Sequence, residues 1–168
     1  MLDPQADRFL EARGYGVEGE TLTLAAPLAE ALAFDVEIAP RPSAEWLAAS
    51  NAINGRAPGQ AAAFDRNLEG LTAPAAFVAL RRQGVIASVA YGVAGRGWLC
   101  VEAVATETAC RGQGLAGQVV SSLMAWGAGQ GAGAAGLQVT ADNAPARALY
   151  ARLGFDRELY RYHYRRGP

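Results

Sequence analysis

The sequence contains no lysine: its 15 basic residues are all arginine, and 16 acidic residues bring the net charge to −1. A protein surface that binds nucleic acid usually carries a basic stripe or patch. Here the arginines are scattered, apart from Arg161, Arg165 and Arg166 near the end of the chain. We therefore expect no nucleic-acid partner.

Cysteine and histidine are also scarce, with Cys100, Cys110 and His163 as their only representatives. The two cysteines lack the spacing of metal ligands, and two thiols in a chain of this length do not form a disulfide framework. We expect no metal centre and a cytoplasmic protein. His163 stands among three tyrosines in a predicted strand, which favours a structural role over substrate contact.

Long hydrophobic runs are absent as well, since charged residues interrupt every apolar stretch before the ~18 residues that a membrane span needs. The N-terminus does not have the pattern of a signal peptide, so we expect no membrane partner. Hydrophobic residues nevertheless make up 51% of the 168 residues and charged residues 18%. This composition is typical of a compact globular chain, of a length that suits one α/β domain with a short additional segment.

Hydrophobic periodicity predicts helices and strands in alternation. The predicted helices are 4–13, one beginning near Ser43, 59–68, 115–126 and 144–153, and the predicted strands are 20–25, 34–38, 75–80, 85–92, 98–106, 135–140 and 159–164. Glycine-containing segments at 82–84 and 94–97 predict hairpin turns between three consecutive antiparallel strands. In the C-terminal half, the strand-helix-strand order predicts locally parallel pairing.

The most informative segment directly precedes the predicted helix at 115–126 and reads Arg111-Gly112-Gln113-Gly114-Leu115-Ala116-Gly117. Glycines let successive backbone N–H groups close on a phosphate, and a helix N-terminus adds its positive dipole end. The segment therefore predicts a pyrophosphate-binding loop. Gly112-x-Gly114-x-x-Gly117 also fits a dinucleotide fingerprint, but the preceding strand ends five residues too early and the next strand carries no acid.

Two segments resemble the GCN5-related N-acetyltransferase (GNAT) family. Arg111-x-x-Gly114-x-Ala116 matches the family signature Arg/Gln-x-x-Gly-x-Gly/Ala, and residues 137–155 resemble its second motif. The resemblance covers about 34–166 and implies an α/β (α+β) acyl-CoA N-acyltransferase fold, a mixed, twisted sheet with flanking helices. It also implies transfer from acetyl-CoA to a primary amine of a small molecule or peptide by direct attack. The alternative is an inactive GNAT-like module that only binds acyl-CoA.

The resemblance also implies which residues form the site. The cofactor pyrophosphate would be held at Arg111, Gly112, Gln113, Gly114, Leu115, Ala116 and Gly117, and the pantetheine arm at the strand edge formed by Val104, Ala105 and Thr106, where a backbone N–H near a bulge faces the thioester oxygen. Asn143 would contact the cofactor, although it is also a good helix N-cap. Tyr150 would be the general acid, since a phenol with a reference pKa near 10 can protonate a departing thiolate.

Glu102 is our candidate general base, because family members often place a carboxylate on this strand. The alternative is a carboxylate at a strand edge or facing solvent. Relatives that acetylate protein N-termini carry a second Glu in the next strand, whereas this sequence has Gln138 there. That departure disfavours ribosomal-protein N-terminal acetylation.

The N-terminal segment, residues 1–30, precedes the predicted GNAT domain at 31–168. Residues 9–15 resemble residues 149–155, so the segment is either the remnant of a degenerate first GNAT half or a coincidental likeness. Leu10 stands where the repeat has Tyr150, so no second active site is expected. Because many relatives have another strand at their C-terminus, we predict that residues 20–25 pair with residues 159–164, in the same chain or across a homodimer.

Overall fold

The computed structural model describes residues 4–28 and 32–167 and divides the chain into two compact units. The central unit is Pro27–Ala135, and the terminal unit combines Met1–Ala26 with Gly136–Pro168. The helices are α1 (Pro4–Glu11), α2 (Ala44–Ile53), α3 (Pro58–Glu69), α4 (Leu115–Gly129) and α5 (Ala144–Arg152), with a 3-10 turn at Thr108–Cys110. The strands are β1 (Gly16–Pro27), β2 (Glu37–Ala39), β3 (Ala75–Arg82), β4 (Val85–Gly95), β5 (Trp98–Thr106), β6 (Ala134–Thr140) and β7 (Arg157–Arg166).

In the central unit, β2, β3, β4 and β5 form an antiparallel meander. Residues Gln83-Gly84 and Arg96-Gly97 join the last three strands, and all four have positive φ angles, between 51° and 82°. Two consecutive positive φ angles match the twist of a two-residue hairpin. The predicted hairpins are confirmed, while the strand predicted at 34–38 is displaced to the three residues of β2.

Strand β5 contains a bulge. Tyr91 pairs with Glu102, but Val89 pairs with Ala105, so β5 has one more residue than β4 over this interval. Ala103 lies in the bulge with a φ of 51°. A bulge changes which residues of a strand face each side of the sheet. Glu102 and Ala105 consequently share one face although they are three residues apart.

Helices cover both faces of this meander. Helices α2 and α3 cover the first face, where the buried hydrophobic cluster is Trp46, Leu68, Phe77, Ala79, Ile86 and Val89. Trp46 is 3% exposed and its indole Nε1 donates to the carbonyl of Val78 at 2.9 Å. On the other face, α4 packs closely, since a Cβ added at Gly127 would lie 2.9 Å from Leu99 Cδ2.

In the terminal unit, β1 pairs antiparallel with β7, for example Thr21 with Tyr162 and Leu24 with Glu158. The predicted pairing of residues 20–25 with residues 159–164 is confirmed, within one chain. The predicted parallel pairing of β6 with β7 is wrong, because β1 lies between them. A strand contributed from more than 100 residues upstream cannot be read from the local order of elements.

Helix α1 is held to β7 by Asp7. The Asp7 carboxylate accepts hydrogen bonds from Arg165 Nε and Nη2, both at 2.8 Å, and lies 2.9 Å from His163 Nε2. The bonds from Arg165 and then from His163 hold the pKa of Asp7 well below its usual range. His163 thus has the structural contact expected of it.

Among the described residues, no helix is both long and apolar enough to cross a bilayer.

Candidate active site

The loop before α4 has the backbone geometry of an anion-binding loop. Gly112 and Gly114 have φ angles of 74° and 78°, and Gly114 is the N-cap of α4. A Cβ added at either glycine would meet no atom within 4 Å, so the space over the loop is open. The first N–H groups of a helix lack carbonyl acceptors within that helix. The loop therefore presents an open set of donors at the positive end of α4.

The side chains of this loop have mainly structural contacts. Arg111 Nε donates to the carbonyl of Thr106 at 3.2 Å, which ties the loop to the end of β5. Leu115 is 1% exposed and packs with Leu80 and Ala87, so its contribution to a ligand would come from its backbone. Gln113 Nε2 donates weakly to the carbonyl of Ala109 at 3.5 Å.

The end of β5, at Val104, Ala105 and Thr106, is partly buried and directly follows the bulge. Thr106 Oγ1 lies 2.9 Å from Ser88 Oγ, and the Ser88 hydroxyl also contacts the carbonyl of Ala105 at 3.0 Å. The structure thus brings Glu102, the bulge, residues 104–106 and the 111–117 loop together in the central unit.

Glu102 lies beside two protonated neighbours. Its Oε1 accepts a hydrogen bond from Cys100 Sγ at 3.2 Å, and Tyr91 is its cross-strand partner. Desolvation, followed by the contact with Glu102, raises the pKa of the Cys100 thiol to about 12. Burial and then the charge of Glu102 raise the pKa of Tyr91 to about 12. Near neutral pH the carboxylate therefore has a thiol and a phenol as neighbours.

Aromatic rings position Tyr91. Its ring stacks on Phe77 with centroids 5.4 Å apart and meets the edge of Phe64 at 6.2 Å. The guanidinium of Arg56 lies over the Phe64 ring, 3.7 Å from its centroid. We call Arg56, Phe64, Tyr91, Cys100 and Glu102 the Tyr91 cluster. Of these residues, only Glu102 is predicted for the site from the sequence, because the others come from α3, β4, β5 and the α2–α3 loop without a local motif.

In the terminal unit, Asn143 is the N-cap of α5, and Tyr150 lies within that helix. Asn143 Oδ1 accepts from the backbone N–H of Ala146 at 3.2 Å, which confirms the predicted N-cap. Tyr150 is 7% exposed and its ring packs against Phe155, with centroids 6.0 Å apart. Gln138, in the same unit, accepts from the hydroxyl of Tyr162 at 3.0 Å. Within residues 4–28 and 32–167, no three His, Cys, Asp or Glu side chains converge as a metal site.

Residues 5–165 match the family model described as the C-terminal part of the probable histone acetyltransferase Rv0428c. The chain belongs to that family. It is a GNAT protein, as the motifs at 111–116 and 137–155 predict, and the predicted α/β acyltransferase fold with flanking helices is confirmed. Among curated proteins, no sequence matches this chain.

Several solved structures share the fold. A GCN5-related N-acetyltransferase from Sphaerobacter thermophilus is 19% identical, with a TM-score of 0.74, and the alignment covers 99% of this chain and 57% of that one. One from Kribbella flavida is 26% identical, with a TM-score of 0.65 and coverages of 98% and 65%. AAC(6')-Iy, solved with a bisubstrate analogue containing CoA, is 16% identical, with a TM-score of 0.63 and coverages of 80% and 100%.

The chain thus spans about three fifths of the first two GNAT structures. The interpretation of residues 1–30 as the remnant of a first GNAT half stays a prediction. The boundary predicted between residues 30 and 31 lies outside the described residues, since residues 29–31 are not among them.

Proposed function

We propose that this GNAT protein transfers the acetyl group of acetyl-CoA to a primary amine of a small molecule or peptide. The observation that carries the proposal is the open loop at Gly112 and Gly114, placed at the N-terminus of α4 in the same unit as Glu102. The CoA-containing ligand of AAC(6')-Iy, a structure of the same fold, supports CoA as the donor.

Acetyl-CoA supplies an activated thioester, and backbone groups of the chain hold it. The N–H groups of residues 112–117 bind the pyrophosphate, where the α4 dipole stabilises negative charge. The strand end at Val104, Ala105 and Thr106 holds the pantetheine arm, and Asn143 contributes its side-chain amide. Because these contacts come mainly from the backbone, the cofactor site tolerates changes of side chain that leave the loop open.

Transfer requires a neutral amine and a protonated leaving group. Glu102 accepts the proton of the incoming ammonium group, and the amine then attacks the thioester carbonyl carbon without a covalent enzyme intermediate. When the tetrahedral intermediate collapses, the carbon–sulfur bond breaks and Tyr150 gives its proton to the thiolate. The nitrogen loses its second proton in the same collapse, and this proton restores the Tyr150 phenol. The products are an amide and CoA.

The cytoplasm is the compartment we expect, since Cys100 and Cys110 are both free thiols.

The direct test is release of free CoA from acetyl-CoA by the purified protein, measured with a thiol reagent across a panel of amines and peptides. Tyr150→Phe should lower kcat by about 100- to 1000-fold, the lower part of the range for loss of a general acid, while CoA binding by calorimetry is retained. Tyr160→Phe is the matched control, because Tyr160 is an exposed tyrosine of β7. If CoA binds but no amine is acetylated, the protein is an acyl-CoA-binding module and the proposed catalysis is wrong.

A further inference from the structure

Arg56 uses only part of its hydrogen-bonding capacity. Its Nη1 donates to the carbonyl of Ser50 at 3.0 Å, to Ser50 Oγ at 3.2 Å and to Asn51 Oδ1 at 3.3 Å. Neither Nε nor Nη2 has a partner among the described residues. Among the described residues, Thr23 Oγ1 is the only buried polar side-chain atom without a partner. Because Nε and Nη2 of Arg56 have no partner and are not buried atoms of this kind, this edge of the guanidinium is accessible to a ligand.

The charge of Arg56 is partly buried and has no ion-pair partner. Across residues 4–28 and 32–167, no carboxylate oxygen lies within 4 Å of its nitrogens. Asp65 is held instead by the side-chain amide of Asn51, whose Nδ2 donates to Oδ1 at 3.1 Å. Desolvation lowers the pKa of Arg56, against the opposing charge of Asp65. A partly buried cation without a partner gains stability when an anion binds.

The orientation of the guanidinium is also fixed. It lies over the Phe64 ring at 3.7 Å, and the three bonds of Nη1 hold it to the end of α2. A planar guanidinium with a free edge matches the two oxygens of a carboxylate. The free edge is therefore preorganised to receive a planar anion.

Arg56 lies on the same side of the sheet as Glu102. The Phe64 ring under Arg56 meets Tyr91, and Tyr91 is the cross-strand partner of Glu102. The pKa of Tyr91 responds to both charges, since Glu102 raises it and Arg56 lowers it. The cation and the carboxylate thus lie near one tyrosine, and a ligand with a cationic and an anionic end would find a complementary charge for each end there.

We propose that Arg56 binds a carboxylate of the acceptor, so that the acceptor is an amine that also carries a carboxylate, as amino acids and short peptides with a free C-terminus do. This inference rests on the proposed function, in which the acceptor amine meets Glu102. The guanidinium selects the acceptor and takes no part in proton transfer.

The experiment compares matched acceptors, each amino acid or dipeptide against its own primary amide, by kcat/KM for CoA release. The intact protein should prefer the free carboxylate by about 10- to 100-fold, the worth of a charge-assisted pair of hydrogen bonds. Arg56→Gln should reduce that ratio to about one, and Arg56→Lys should recover it only in part, because an ammonium group cannot form the two-point contact. Arg66→Gln on α3 is the matched control and should keep the full ratio.

A second measurement does not depend on turnover. Calorimetry of N-acetylated amino acids, which are the expected products, against their amides should show the same preference and the same loss in Arg56→Gln. Equal affinities and equal kcat/KM for acids and amides in the intact protein overturn the inference while leaving amine acetylation intact. Selective binding of the acids without any turnover keeps the Arg56 site and overturns the proposed function. Absence of both selective binding and turnover overturns both.

Discussion

The loop at residues 111–117 and the Tyr91 cluster present ligands with different kinds of atoms. The loop offers backbone N–H groups in an open conformation set by Gly112 and Gly114. The cluster offers side chains, among them the Glu102 carboxylate on the strand beside Tyr91 and the Arg56 guanidinium over the Phe64 ring. Backbone donors suit a phosphate group shared by every reaction of a family, whereas side chains can change from one acceptor to another. Under the proposed function, the loop would be the generic donor side, and the cluster would be the acceptor side particular to this chain.

The largest expected effect comes from Glu102→Gln, which keeps the shape of the side chain but removes its basicity. We expect kcat/KM for the amine to fall by about 100- to 10,000-fold, the usual range for a general base. CoA affinity, measured by calorimetry, should stay within about twofold, because the Glu102 side chain makes none of the proposed cofactor contacts. An equal loss of CoA affinity would mean that the two regions do not divide donor from acceptor.

A second effect concerns the reactivity of Cys100. Because the pKa of its thiol is raised to about 12, little thiolate exists at pH 8. Although Cys100 is exposed, we expect its alkylation by iodoacetamide to be slower than that of a peptide thiol, whose pKa is near 8.5. Mass spectrometry of a Cys110→Ser protein measures the rate at Cys100 alone.

The same experiment tests the contact between Cys100 and Glu102. Glu102→Gln removes the carboxylate that accepts the thiol hydrogen bond and helps raise the thiol pKa. Alkylation should therefore become faster, and the rate should rise at a lower pH than in the unmodified protein. Rapid alkylation in the presence of Glu102 would contradict the hydrogen bond between Cys100 Sγ and Glu102 Oε1.

What could be predicted from the sequence follows the same division. The hairpin turns at Gln83-Gly84 and Arg96-Gly97, the 111–117 loop and the Asn143 cap depend on neighbouring residues, so local patterns indicate them. The Tyr91 cluster depends on packing between α2, α3, β4 and β5, and no short pattern encodes it. The bulge at Ala103 is similar, because alanine with a positive φ gives no signal in the sequence.

The two predictions of long-range strand pairing had different bases and different outcomes. The partner of β7 was predicted because many relatives have a further strand beside the corresponding one, and the pairing of Thr21 with Tyr162 confirms this prediction. Parallel pairing of β6 with β7 was inferred from element order alone and is wrong, because element order does not show that β1 intervenes.

The smallest expected effect is on CoA affinity, and it distinguishes binding by the backbone of the 111–117 loop from binding by its side chains. Gly114→Val should weaken CoA binding by about 10-fold, because a β-branched residue at a φ of 78° costs about 1–2 kcal/mol and shifts the N–H groups. The substituted Cβ meets no atom within 4 Å, so the fold itself has space for it.

The matched change in the same loop is Gln113→Ala, which removes a side chain whose one hydrogen bond, to the carbonyl of Ala109, is 3.5 Å long. If the loop acts through its backbone, calorimetry should give a CoA affinity within about twofold of the unmodified protein, well under the ~1.4 kcal/mol of a tenfold change. A loss in Gln113→Ala equal to that in Gly114→Val would place the recognition of CoA in side chains. The donor region would then resemble the Tyr91 cluster, and the distinction between a generic and a particular site would no longer hold.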